Sequence, residues 1–180
     1  MSPRSGFGTS PLSLPELLEK ALRLLASRDY AERELRDRLA PRAESESDIE
    51  SVLAKLREAG YLNESRFAER KAADAIGRRV VGKRRLTHEL RARELDESVI
   101  SRAVGEAYSG VAEESLALQH LEKRLASLCS GDALEDPRTL KKAYGRLRRA
   151  GFDHPATVSA LRKYSQLAAT LDEFASADEE

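Results

Sequence analysis

The sequence predicts an all-α fold, an elongated array of three tandem three-helix modules, and three observations carry that prediction. Leu, Ala, Arg and Glu dominate a composition that is 41% hydrophobic and 34% charged, with four Phe, five Tyr and no Trp, which suits solvated amphipathic helices better than sheets. From Pro15 onward the apolar residues recur with a helical period. That pattern then returns twice along the 180 residues.

Taken in order, the first dozen residues, rich in Ser, Gly and Pro, read as part of a disordered leader over residues 1–14. A first helix carries Leu17, Leu18, Leu22 and Leu25 on one stripe and breaks near Asp29 and Tyr30. A second carries Leu35 and Leu39 and is ended by Pro41. A third runs through Ile49, Val52, Leu53 and Leu56 to Gly60. The apolar positions of the second and third helices reappear 51 residues later as Leu86, Leu90, Ile100, Ala103, Val104 and Ala107. A further 57 residues on they are Ala143, Leu147, Thr157, Ala160, Leu161 and Tyr164.

The capping chemistry repeats with them. Ser45, Asp96 and Asp153 hold the same place, and a side-chain oxygen there caps the third helix of each module. Asp136 followed by Pro137 marks another helix start, a cap and then proline at the first helical position. The modules are therefore residues 15–60, 61–109 and 110–165, followed by an acidic tail over 166–180 that is expected to fray. Val80 and Val81 are too short a run to make a strand.

The stretch "GYLNESRFA", residues 60 to 68, reads as the joint between the first two modules. Gly60 supplies the left-handed turn after one helix and Asn63 caps the next, with Leu62 and Phe67 at the positions of a hydrophobic staple. Tyr61 is expected to pack in the same corner.

Several classes of function are disfavoured. No apolar run approaches the roughly 18 to 20 residues that cross a bilayer, so a soluble, cytoplasmic protein without membrane partners is expected. Cys129 is the single cysteine, and His88, His120 and His154 lie 32 and 34 residues apart; neither pattern gathers metal ligands. Gly77, Gly82 and Lys83 echo a phosphate-binding loop, but Arg84 stands where Ser or Thr would hold magnesium. Gly82 is read instead as a helix breaker. Glu113 and Glu114 sit on what reads as an exposed helix face, and no nucleophile, acid–base pair or metal motif is apparent. Binding rather than catalysis, without cofactor or metal, is the expectation.

The formal charge sums to zero but is segregated. Residues 1–65 carry a net −2, 66–93 carry +7, 94–136 carry −7, 137–163 carry +7 and 164–180 carry −5. The candidate binding residues are the two basic groups. Arg78, Arg79, Lys83, Arg84 and Arg85 cluster at one turn and Arg91 and Arg93 continue it, while Lys141, Lys142, Arg146, Arg148 and Arg149 occupy the matching helix of the third module. Arginines on helices pair with phosphates or with carboxylates, so DNA and an acidic protein groove both suit them. No interleaved aromatics are present to stack bases.

With the repeats aligned, the chain resembles the RecX family of bacterial RecA regulators. The resemblance rests on "ALRLLASRDYAERELRDRL", on "GYLNESRFAERKAADAIGRRVVGKRRLTHEL" and on "LRRAGFDHPATVSALRKY", and covers roughly residues 16–164. It implies an elongated, non-enzymatic protein of tandem three-helix bundles that binds RecA and its filament on single-stranded DNA. Such binding restrains strand exchange, ATP hydrolysis and co-protease function in recombinational repair and the SOS response. A monomer is expected, with weak direct DNA binding as a possible addition. Residues 41–48, "PRAESESD", are polar where the family tends to carry a glycine and an apolar residue, so the first module is expected to be looser. The alternatives are a helical DNA-binding protein acting independently of RecA and a purely structural helical scaffold.

Overall fold

A computed structural model describes the backbone of residues 10–177 and the side chains of residues 10–171. Nine α-helices and no strand occur among the described residues. They are α1 (Leu14–Ser27), α2 (Glu32–Leu39), α3 (Glu46–Glu58), α4 (Glu64–Asp74), α5 (Lys83–Arg91), α6 (Glu97–Tyr108), α7 (Glu113–Arg124), α8 (Pro137–Arg149) and α9 (His154–Arg162). The order matches three successive sets of three helices. A π-helical turn, Ala75–Arg79, follows α4, and a 3-10 helix, Gln166–Ala177, follows α9. The repeated apolar positions are buried, apart from the partly exposed Ala107 and Tyr164.

The chain forms two compact units, one of residues up to Phe67 with Arg93–Leu95, the other of Ala68–Ala92 with the residues from Asp96 onward. In the first unit, Leu17, Ala21, Leu35, Leu39, Ile49, Val52, Leu53 and Leu56 make the core, with Leu62 joining them from the turn after α3. The first helical turn of α1 is fixed by Ser13, whose amide and hydroxyl both donate to Glu16, at 2.9 and 2.6 Å. Arg36 bonds Glu46 and Glu50, tying α2 to α3, and Arg93 reaches Glu34 at 3.1 Å.

The order begins earlier than the leader assigned to residues 1–14 allows. Leu12 and Leu14 pack against the core, and the Leu12 amide donates to the Arg42 carbonyl at 2.8 Å. These two leucines have apolar surface to bury. Residues 1–9 of the leader lie outside the described residues.

At the joint, α3 closes in a Schellman turn. The amides of Gly60 and Tyr61 donate to the carbonyls of Arg57 and Leu56, at 3.0 and 2.9 Å, with Gly60 at φ +73°. Asn63 then caps α4, accepting from the Arg66 amide at 2.9 Å, and the Arg66 side chain donates back to the Gly60 carbonyl at 3.1 Å. Leu62 and Phe67 are buried. Tyr61 departs from expectation: it is 55% exposed. The turn commits Leu62 to the core and leaves its neighbour facing solvent.

The second unit has a larger core, drawn from α7, α8, α9 and the 3-10 helix and including Leu121, Leu134, Leu140, Leu147, Phe152 and Leu161. Asp96, Asp136 and Asp153 cap α6, α8 and α9 as the sequence suggests, accepting from the amides of Ser98, Thr139 and Ala156. Fraying does not begin at residue 166. Ala168 and Leu171 are buried in this core, and the Gln166 amide donates to Glu135 at 3.0 Å. Residues 178–180 of the acidic tail lie outside the described residues. Cys129 is partly buried; its thiol faces the Leu125 carbonyl at 3.6 Å and burial raises its pKa.

Candidate anion-binding cleft

The basic run between α4 and α5 is shaped by a strained turn. Val80, at φ 52° and ψ 65°, adopts the left-handed conformation that a β-branched residue disfavours. The turn is held on several sides. The amide of Val81 donates to the Ala75 carbonyl at 3.0 Å, His120 Nδ1 donates to the Val80 carbonyl at 2.6 Å and the Tyr108 hydroxyl donates to the Val81 carbonyl at 2.7 Å. Burial lowers the pKa of His120 and pushes that of Tyr108 up to about 12, so a neutral imidazole and a protonated phenol fit these two bonds. Phe152 packs its ring edgewise against His120 at 5.6 Å.

The expected role of Gly82 is corrected by this geometry. The helix is broken before it, by the π turn and Val80, and Gly82 itself has an ordinary φ of −76° as the cap of α5. What requires glycine is space: a Cβ on Gly82 would lie 2.2 Å from the Gly151 carbonyl. Reciprocally, a Cβ on Gly151, whose φ is +94°, would lie 2.4 Å from the Arg85 Cβ. Through this gap the Gly82 amide donates to the Ala150 carbonyl at 2.9 Å and the Arg84 amide to the Gly151 carbonyl at 3.3 Å. The first donors of α5 thereby satisfy carbonyls at the end of α8. In a phosphate loop such amides face the ligand; here they are engaged by carbonyls.

Glu113 does not sit on an exposed face. It is partly buried at the start of α7, and its Oε1 is buried without a hydrogen-bond partner among the described residues. Burial first, and the nearby Asp153 carboxylate second, raise its pKa.

The contact between Gly82 and Gly151 brings the two basic groups of the sequence to one place. Arg84, Arg85 and His88 of α5 and Arg148 and Arg149 of α8 line an open cleft of about 570 Å³, with Glu89 and Gly151. Arg84 and Arg149 are exposed, and no ion pair engages either among the described residues. Arg85 donates to Glu89 at 2.9 Å. Arg148 lines the cleft while donating to the Phe152 carbonyl at 3.0 Å, which steadies the turn after α8.

The remaining candidates fall elsewhere. Arg79 turns inward and holds Glu89 with two bonds, at 2.7 and 2.5 Å. Arg78 is exposed beside Asp74 at 3.1 Å, Arg91 pairs with Glu97, and Arg93 belongs to the first unit with Glu34. Lys83 and Lys142 are exposed, Arg146 is partly buried, and Lys141 borders a separate apolar groove with Leu140, Leu167 and Leu171. His88 and Gly151 were not among the sequence candidates. The signal for His88 is its position four residues after Arg84, on the same helix face. Among the described residues no His, Cys, Asp and Glu group could hold a metal ion, and no helix is long and apolar enough to cross a membrane.

Comparison with known proteins fits this arrangement. The family description "RecX, first three-helix domain" matches residues 18–56, which include the polar "PRAESESD" stretch. The regulatory protein RecX of Amycolatopsis mediterranei is 30% identical over 154 residues, covering 83% of this chain and 86% of the relative. That of Chromohalobacter salexigens is 36% identical over 136 residues, covering 75% and 84%. A crystal structure of RecX from Lactobacillus salivarius superposes with a TM-score of 0.63 at 15% identity, over 84% of this chain and 96% of that one. A second crystal structure of regulatory protein RecX gives 0.65 at 18% identity, over 79% and 70%. These two likenesses show the fold, and with identity of this level across most of both sequences the chain belongs to the RecX family of regulatory proteins.

Proposed function

We propose that this protein binds RecA nucleoprotein filaments and inhibits their recombinase, ATPase and co-protease activities, and so modulates recombinational repair and the SOS response. The observation that carries the reading is its membership of a family of regulatory proteins named RecX. The basic cleft is the surface through which the protein meets the DNA strand of the filament. It is open, presents arginines from two helices rather than one point of charge, and has no Phe, Tyr or Trp in its lining, which suits successive phosphodiesters of a backbone better than bases.

RecA-catalysed ATP hydrolysis on single-stranded DNA is expected to fall when the protein is added at sub-stoichiometric to equimolar amounts. No change at any salt concentration overturns the proposal. The second reading, DNA binding independent of RecA, is favoured by the convergence of the two +7 segments on one cleft. It requires that the protein bind DNA alone at physiological salt. Reversing Arg84, Arg85 and Arg149 to Glu separates the two: loss of RecA inhibition with DNA affinity unchanged makes the cleft a protein interface.

A further inference from the structure

Glu89 is the one carboxylate that lines the basic cleft, and its two arginine partners are not equivalent. Arg79 grips it with two hydrogen bonds from a side chain only 28% exposed. Arg85 reaches it with a single bond at 2.9 Å from a side chain 46% exposed. Arg85 lines the cleft and Arg79 does not. An anion that enters can therefore take Arg85 while Arg79 retains Glu89. Burial alone would raise the pKa of Glu89, but the hydrogen bonds and charges of Arg79 and Arg85 outweigh it and hold the carboxyl below its ordinary value, so it is charged at neutral pH.

We propose that Glu89 is an internal competitor for Arg85, an intramolecular carboxylate that neutralises this arginine in the free protein and yields it when a phosphodiester backbone enters the cleft. The inference rests on the reading of the cleft as the surface that meets DNA. Three consequences follow from charge alone. Every arginine that pairs with a phosphate releases a cation condensed on the strand, but Arg85 must first give up Glu89 and so adds less to affinity than Arg84 or Arg149. An isolated anion gains too little from the cleft to displace Glu89. A strand that engages Arg84 and Arg149 together gains enough, so the carboxylate favours a backbone over small anions.

The experiment measures binding of a labelled oligothymidylate by fluorescence anisotropy over a salt series. Glu89→Gln is expected to tighten binding about two- to fivefold, as freeing a half-exposed ion pair allows, and to leave the log–log salt slope, about 0.7 per phosphate contact on a single strand, unchanged. Because Glu89→Gln also weakens the grip of Arg79, a second test leaves that pair alone. Arg149→Gln and Arg85→Gln are each expected to reduce the slope by about 0.7, and Arg85→Gln to weaken binding less than Arg149→Gln. If Arg85→Gln weakens binding as much as Arg149→Gln, or Glu89→Gln leaves the affinity unchanged, Glu89 is no competitor. If instead DNA does not bind, or binds equally after Arg84→Glu with Arg149→Glu, the reading of the cleft falls and the role of Glu89 with it.

Discussion

The amide of Gly82 donates to the carbonyl of Ala150 across 2.9 Å, and the approach is possible only because neither Gly82 nor the adjoining Gly151 carries a side chain. The opposing atoms are backbone, so a methyl group cannot be accommodated by turning a rotamer. Gly82→Ala is expected to cost about 3 kcal/mol, the upper end of overpacking. Gly151→Ala is expected to cost more, since left-handed strain of about 1 kcal/mol adds to the clash. Gly60→Ala carries that strain with no clash, and Gly77→Ala carries neither; their expected costs are about 1 kcal/mol and about zero. Urea unfolding of the four variants checks the order, and equal costs at Gly82 and Gly77 would contradict the contact.

The joint between α3 and α4 should respond in proportion to burial. Phe67→Ala removes a buried ring beside an existing cavity and is expected to cost about 3 kcal/mol. Asn63→Ala loses the cap and about 1 kcal/mol. Tyr61→Ala, at an exposed position, should stay within about 0.5 kcal/mol. If the joint matters to function, Phe67→Ala also weakens inhibition of RecA ATPase activity while Tyr61→Ala alters it without loss of stability or leaves it unchanged. Unchanged stability and inhibition in Phe67→Ala would refute its role.

The helices were legible because their signals are local. Apolar spacing, the caps Ser45, Asp96, Asp136 and Asp153, and the Gly60–Asn63 turn all act within a few residues. The cleft was half legible: both basic groups are visible as charge, but their meeting depends on Gly82 touching Gly151, a contact between distant positions with no local signature. Val80 misleads for a physical reason. A left-handed residue two positions before a glycine is not where propensity places it, and tertiary bonds from His120 and Tyr108 support it. Nor does a run of arginines reveal that Arg79 is held by Glu89 while Arg84 is not.

Two carboxylates of the second unit should titrate with opposite effects on stability. Glu89 has its pKa lowered in the fold, with Arg79 and Arg85 outweighing burial; its contribution is present above the unfolded value, about 4.3, and is lost as pH falls through the folded value. Glu113 has its pKa raised, by burial and then by Asp153; its contribution is full below about pH 4.3 and is lost as pH rises through the folded value. Relative to wild type, Glu113→Gln should therefore gain stability between about pH 4 and 7 and Glu89→Gln should lose it. Urea midpoints across that range test both, and two variant curves that run parallel to wild type would contradict the burial of Glu113 and the pairing of Glu89.

The arginines of one charge run should separate into two kinds. Arg79 is partly buried and bonded twice to Glu89, so Arg79→Ala strips a partner from that carboxylate and is expected to destabilise by about 1 to 2 kcal/mol, allowing for its partial exposure. Arg84 and Arg149 are exposed at the cleft, and changing either to Ala should alter stability by less than about 0.5 kcal/mol. Function is expected to follow the reverse order: with folding verified at the assay temperature, Arg84→Ala and Arg149→Ala weaken inhibition of RecA ATPase activity, and the double variant weakens it more. Arg79→Ala should inhibit nearly as wild type under conditions where it remains folded. An Arg79→Ala protein that is stable yet the most defective inhibitor would move the binding surface from the cleft to the turn before Val80.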